Sequence, residues 1–172
     1  EIKNVEINGD DDGELSIEDL NEFVVEVENN YNQDMDEVSV TVTIENVDND
    51  DLDEESDEDN IDQGNSEEFS VDIDLAGEEI DDDSYVVTIE VKAEAEDGTI
   101  HRASKSITVD LDLEKHDVII SRESLSSSTL SCDAFATLEV EVRNVGTSNE
   151  DEVEVRVSND KLNLNLAKDN VE

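Results

Sequence analysis

The chain has 172 residues, of which 53 are acidic and 10 are basic, so its formal charge at pH 7 is −43. A charge of this sign excludes nucleic-acid binding, which requires a basic surface, and an anionic membrane would repel it. Hydrophobic residues make up only 34% of the chain and aromatic residues 3%. This composition taken alone is typical of disorder, so the order of the residues has to decide whether a core forms.

The acidic residues are concentrated in the first two thirds of the chain. Residues 1–113 carry 40 acidic and 4 basic side chains, a charge of −36, whereas residues 114–172 carry 13 and 6, a charge of −7. A surface this acidic stays soluble in concentrated salt, which screens its self-repulsion. Alternatively, the carboxylates could bind divalent cations, above all Ca²⁺. Both explanations stay open at this point.

Alternation of apolar and polar residues predicts an all-β fold. The predicted strands lie, in chain order, near residues 1–8, 21–29, 37–46, 66–75, 84–96 and 99–113. Asp97-Gly98 predicts a hairpin turn between the last two strands. Each strand has one apolar and one charged face, which favours two antiparallel sheets packed as an immunoglobulin-like sandwich. Because the chain contains no Pro, we expect its edge strands to be protected by charge.

Two acidic stretches interrupt the strand pattern. The longer one runs from Asp48 to Gly64 and the shorter one from Ala76 to Asp83. Neither alternates, and charged runs of this kind are usually solvated connections. We therefore expect a mobile acidic loop at Asp48 to Gly64.

Part of the sequence occurs twice, with an offset of 115 residues. The corresponding pairs are Phe23 and Leu138, Val25 and Val140, Val27 and Val142, Asn29 and Asn144, Val38 and Val153, Val40 and Val155, and Val42 and Val157. A repeat at a fixed spacing indicates that one structural unit is used again. We expect a complete sandwich at residues 1–113 and, at residues 114–172, the N-terminal part of a second, homologous sandwich that is truncated.

Residues 8–19 resemble a calcium-binding loop of the EF-hand or dockerin type. Oxygen-bearing side chains stand at the spacing of such a loop, with a Gly in between, and the candidate ligands are Asn8, Asp10, Asp12 and Asp19. Alternate residues of this kind can converge on one ion. The loop leads into a strand rather than a helix, however, so the alternative interpretation is a solvated turn between the first two strands.

The other reactive side chains do not form a catalytic pattern. Cys132 is the only cysteine, so no disulfide can form within this segment. The repeat places Cys132 opposite Ile17 in a strand, which favours burial, although in an extracellular protein it could pair with a cysteine elsewhere. His101 and His116 lack a Cys or His partner at metal-ligand spacing. The sequence predicts no catalytic residues, no required cofactor and no enzyme activity.

One segment resembles a known family. Leu138-Glu-Val-Glu-Val-Arg-Asn144, a polar turn and Glu152-Val-Glu-Val-Arg-Val157 follow one another. This pattern resembles the CARDB family, the immunoglobulin-like cell-adhesion-related domains of archaeal and bacterial surface proteins. The resemblance implies a secreted tandem module without catalytic residues, and the acidity favours an archaeal, halophilic source. Its role would be that of a spacer, an adhesin or an S-layer-like lattice component.

We therefore expect a non-catalytic structural or adhesion module of an extracellular cell-surface protein. Its partners would be other surface-protein domains or copies of itself, with no nucleic acid and no membrane contact by this segment. Two alternatives stay open: a calcium-dependent binding module that uses the acidic loops, and an accessory domain of a larger secreted enzyme.

Overall fold

A computed structural model describes residues 1–11, 13–78, 80–81, 83–127, 129 and 135–169. The chain divides into two compact units, Glu1–Asp112 and Leu113–Glu172, which we call unit 1 and unit 2. The described residues form β-strands joined by turns and connections, with a single short 3₁₀ helix and no α-helix. The strands pair in antiparallel sheets, which confirms the predicted all-β class and is consistent with a β-sandwich.

The described residues of unit 1 form eight strands in two sheets. They are β1 Ile2–Ile7, β2 Asn21–Glu28, β3 Met35–Val47, β4 Asp50–Glu55, β5 Asp59–Ile61, β6 Ser66–Ile73, β7 Asp83–Ala95 and β8 Ile100–Leu111. The smaller sheet has the order β1-β2-β6, and the larger sheet has the order β4-β3-β7-β8, with β5 also paired to β3. All six strands predicted in this part of the chain are present, with their ends within two residues of the predicted positions.

Both sheets of unit 1 contribute alternate residues to one apolar core. In β2, Phe23 and Val25 are fully buried, whereas the neighbouring Glu22 is exposed. Apolar residues of the larger sheet are buried as well; they include Val38, Val40, Val42, Ile44, Val87, Ile89, Val91, Val109 and Leu111. Burial of large aliphatic and aromatic side chains stabilises a fold by about 1.5–3 kcal/mol each, so this core can outweigh the charge repulsion of the surface.

The expectation of a mobile loop at Asp48 to Gly64 is wrong, because this stretch contains β4 and β5. Both strands pair with β3, and Ile61 at the end of β5 is 1% exposed. A two-residue turn joins β3 to β4 with Asp48 at φ 48° and Asn49 at φ 64°, the left-handed conformation that such hairpin turns need. The pattern was missed because β4 is an edge strand whose side chains are almost all acidic and exposed.

The described residues of unit 2 form two hairpins. Its elements are β9 Val118–Leu125, β10 Leu138–Asn144, β11 Glu154–Asn159, the 3₁₀ helix η1 Asp160–Leu162 and β12 Leu164–Asp169. Strand β9 pairs with β10, and β11 pairs with β12. At the offset of the repeat, these hairpins correspond to β1–β2 and β3–β4 of unit 1, although their pairing registers differ by three residues.

The apolar residues of unit 2 are much more exposed than those of unit 1. Among the described residues of this unit, Val145 is the one buried apolar side chain. The exposed large apolar residues are Val118, Ile120, Leu125, Phe135, Leu138, Leu162 and Leu166. In the part of unit 2 that the structure describes, the hairpins therefore have apolar faces that no second sheet covers.

Candidate functional site

The predicted calcium loop begins with a tight turn. Asn8 and Gly9 have φ values of 54° and 83°, and the backbones of Ile7 and Asp10 exchange hydrogen bonds of 2.8 and 3.1 Å across them. This is the Asn-Gly hairpin turn, in which both central residues take the left-handed conformation. Gly13 is needed for a different reason: a Cβ at this position would collide with the carbonyl oxygen of Ile7.

The amide of Asn8 is already engaged in hydrogen bonds within the loop. Its Oδ1 accepts a hydrogen bond of 3.0 Å from the backbone N–H of Glu22, and its Nδ2 donates one of 2.9 Å to the carbonyl of Glu14. The Asn8 side chain therefore fastens the loop to the start of β2. Binding an ion through Oδ1 would compete with the bond to Glu22.

Asp19, another of the candidate ligands, belongs to a neighbouring turn. The backbone N–H of Asp19 donates to the Ser16 hydroxyl at 3.1 Å, in a turn of its own. Asp12 lies outside the described residues, as does Cys132. In the part of the chain that the structure describes, no three Asp, Glu, His or Cys side chains are close enough to hold a metal ion. Calcium binding by Asn8, Asp10, Asp12 and Asp19 stays a prediction.

A buried asparagine that the sequence interpretation missed organises this loop. Asn21 is 0% exposed; its Oδ1 accepts a hydrogen bond of 2.7 Å from the N–H of Ser16, and its Nδ2 donates to the Ser16 carbonyl at 2.8 Å and to the Ile73 carbonyl at 3.3 Å. A buried amide needs such partners, because an unpaired polar group in the core costs about 1–3 kcal/mol. In the sequence, the position of Asn21 directly before the apolar run of β2 could have indicated this role.

A polar groove lies between this loop and β8. It has a volume of about 530 Å³, and Asp11, Glu14, Lys105 and Asp110 are among the residues that line it. Ser84 Oγ donates a hydrogen bond of 2.5 Å to Asp110 Oδ1, and Asn4 Nδ2 donates one of 3.1 Å to Asp11 Oδ1. The groove concentrates carboxylates at one place, but two of them already accept hydrogen bonds from neutral side chains.

The loop after β2 in unit 1 and the loop after β10 in unit 2 contain the same asparagine contacts. Asn29 Nδ2 donates to the carbonyl four residues later, Gln33, at 2.9 Å, and Asn29 Oδ1 accepts from the N–H of Tyr31 at 3.0 Å. In unit 2, Asn144 donates to the carbonyl of Ser148 at 2.8 Å and accepts from the N–H of Gly146 at 3.1 Å. The aligned asparagines therefore shape equivalent turns, which is the physical reason for their repetition.

Tyr31 distinguishes the loop of unit 1. Its ring lies 4.2 Å from that of His101, measured between centroids, with the two planes tilted by 50°. Both residues line a cavity of about 390 Å³ whose other walls include Val27, Val38 and Val91. At the offset of the repeat, Tyr31 corresponds to Gly146 in unit 2. A side chain does not fit there, because an added Cβ would lie 2.6 Å from the backbone nitrogen of Asp117. An apolar cavity of this size can admit a small apolar group.

The ion pairs of the described residues are few and exposed. Lys3 Nζ lies 3.0 Å from Glu28 Oε2 on the surface of unit 1, and this hydrogen bond raises the pKa of Lys3 and lowers the pKa of Glu28. In unit 2, His116 Nδ1 lies 2.7 Å from Glu150 Oε1. Exposed pairs of this type contribute little to stability. Most of the acidic charge of the protein is therefore left to the solvent and its ions.

Comparison with protein-family models, with curated proteins and with solved structures finds no match for this chain. Among the described residues, no helix has the length and apolar character needed to cross a membrane. The functional interpretation accordingly depends on the fold, the surface charge and the repeated unit.

Proposed function

We propose that this chain is a non-catalytic structural or adhesion module of an extracellular cell-surface protein, built from tandem immunoglobulin-like sandwiches of the CARDB type. The module would hold other surface-protein domains, or further copies of itself, at a defined spacing in the cell envelope. The repeated unit is the observation that carries this proposal.

The strand order of unit 1 supports an immunoglobulin-like topology. In the strand letters of that fold, β1, β2 and β6 correspond to A, B and E, while β4, β3, β7 and β8 correspond to C′, C, F and G. The two hairpins of unit 2 correspond to A–B and C–C′ in the same scheme. Stacking of one such unit after another in a chain is typical of surface proteins that span a distance.

The charge of the protein supports an extracellular location in salt. A chain with a formal charge of −43 repels itself strongly in dilute buffer. At about 1 M salt, the screening length falls to about 3 Å, so the repulsion between surface carboxylates largely disappears. A surface with this charge suits a protein that faces a saline medium.

Antibodies raised against the chain provide a direct test of its location. On intact cells of the source organism, the proposal predicts strong surface labelling and removal of the labelled protein by an externally added protease. Permeabilised cells serve as the control for total protein. Labelling that appears only after permeabilisation would contradict the proposal.

A calcium-dependent binding module is the second candidate, favoured by the carboxylates that line the polar groove beside residues 8–19. This candidate predicts that millimolar Ca²⁺ raises the melting temperature more than NaCl of matched ionic strength does. Asp11→Asn, which neutralises one carboxylate of the groove, should remove the excess effect of Ca²⁺. An equal response to both salts would exclude this candidate and leave the structural role in place.

A further inference from the structure

The larger sheet of unit 1 has two open edges of opposite charge. Among the described residues, β4 pairs only with β3 at one edge, and β7 is the only strand that pairs along β8 at the other. We propose that unit 1 assembles with a second copy of this chain by pairing the acidic edge β4 of one copy with the basic edge β8 of the next. This inference rests on the proposed structural function and names its partner.

Both edges present backbone groups that can accept another strand. Among the described residues, the edge of β8 is covered near its end, where Leu15 forms a bridge with Leu111 and the N–H of Leu15 donates to the carbonyl of Asp110 at 3.0 Å. The rest of β8, from Ile100 to Val109, is open on that side among the described residues. An open row of N–H and C=O groups is a template for strand addition unless side chains prevent it.

The edge formed by β4 is almost uniformly acidic. Five of its six residues are Asp or Glu, and all five are exposed, whereas Leu52 is half-buried. Two β4 edges therefore repel each other, because like charges directly opposite one another destabilise a strand pair. An acidic edge of this kind can accept a neighbouring strand that carries positive charge.

The edge formed by β8 has the opposite character. No acidic residue occurs in residues 98–109, in a chain where 53 of 172 residues are acidic. This stretch carries His101, Arg102 and Lys105, and the latter two are exposed. Lys92, the register partner of Arg102 on β7, extends the basic surface. Together with Lys3 on β1, these are all the Lys and Arg residues of unit 1.

The positions of the two edges determine the kind of assembly. Because β4 and β8 lie at opposite edges of one sheet, their pairing joins different surfaces of two identical molecules. Such head-to-tail contacts propagate in rows rather than closing as a two-fold dimer. Molar salt would favour the rows, since it screens the long-range repulsion between copies while backbone hydrogen bonds and closely paired charges persist.

Sedimentation of the full chain in about 1 M NaCl tests this contact. The wild type should form concentration-dependent oligomers. Arg102→Glu with Lys105→Glu on β8 should weaken self-association by at least about tenfold, because it places acidic side chains on both facing strands. Asp53→Lys with Glu54→Lys and Glu55→Lys on β4 should have the same effect, because the edge then carries more basic than acidic residues and faces the basic β8. Lys161→Glu with Lys168→Glu in unit 2 changes the net charge as the β8 variant does and should leave association unchanged.

Mixing the two edge variants provides the decisive step. Each variant has two edges of one sign, so an equimolar mixture should restore assembly with alternating subunits. The proposal is overturned if the wild type stays monomeric up to about 1 mM, if the unit 2 control weakens association equally, or if the mixture stays monomeric. These results would leave the surface-labelling test unaffected, so the two proposals fail separately.

Discussion

Phe23 and Leu138 occupy the same position in the repeated sequence, yet Phe23 is 0% exposed and Leu138 is 43% exposed. Strand β2, which carries Phe23, pairs on both edges, and the second sheet supplies the rest of its core. Strand β10, which carries Leu138, pairs only with β9 among the described residues. Alternation thus determines which face of a strand is apolar, whereas burial requires a facing sheet.

Truncation of the two aligned residues should give the largest difference between the units. Phe23→Ala leaves a large cavity in the core and should lower the free energy of unfolding of unit 1 by about 3–5 kcal/mol. Leu138→Ala removes an exposed side chain and should cost less than about 1 kcal/mol. Urea unfolding in high salt, followed by circular dichroism, measures both; equal effects would contradict the difference in burial.

The acidic stretch of unit 1 provides the next contrast. Ile61→Ala should lower the free energy of unfolding by about 2–4 kcal/mol, because Ile61, which pairs with Met35 of β3, is 1% exposed. Leu52→Ala on the half-buried edge strand β4 is the matched control, with an expected loss below about 1.5 kcal/mol. If this stretch were a mobile loop, Ile61→Ala would have no measurable effect.

Substitution of Asn29 and Asn144 tests whether the equivalent turns contribute equally to the stability of the two units. Asn29 is 3% exposed and also donates a hydrogen bond of 3.0 Å to the carbonyl of Ile61, so Asn29→Ala should cost about 1–3 kcal/mol. Asn144 is exposed, so Asn144→Ala should cost about 0.5 kcal/mol. Thermal unfolding of the two variants provides the measurement, and a larger loss for Asn144→Ala would reverse the comparison.

The smallest expected effect concerns the turn between β7 and β8. Asp97 Oδ1 accepts a hydrogen bond of 3.0 Å from the N–H of Thr99, and hydrogen bonds from Thr99 lower the pKa of Asp97 below its ordinary value of 3.8. The stabilisation is therefore present above pH 3.8 and is lost as the pH falls through the lower pKa of the folded state. Asp97→Asn should slightly destabilise unit 1 at neutral pH, and the difference from the wild type should vanish in strong acid. A difference that persists there would contradict a role of the charge.

The alternating strands could be predicted from the sequence because their signal is local. Val87 and Ile89 face the core as the period of two requires, and Gly98 at φ 81° confirms the hairpin turn predicted from Asp97-Gly98. Strands β4 and β5 could not be predicted, since Leu52 and Ile61 are their only apolar residues. Their pairing depends on β3, which lies elsewhere in the sequence.

The candidate site was harder to predict than the fold. Spacing alone allows Asn8 to be a calcium ligand, but the structure uses its amide to join the loop to Glu22. The role of Asn21 depends on its contact with Ile73, which is 52 residues away in the sequence. Contacts of this range become visible only when the sheets are assembled.

Amide hydrogen exchange, resolved by residue in the full chain, tests the central comparison most directly. We expect amides of residues 21–28 to exchange only through global unfolding of unit 1, because β2 is paired on both edges and faces a closed core. Amides of residues 138–144 should exchange orders of magnitude faster, through local opening of the β9–β10 hairpin. Comparable protection of the two aligned strands would contradict the account.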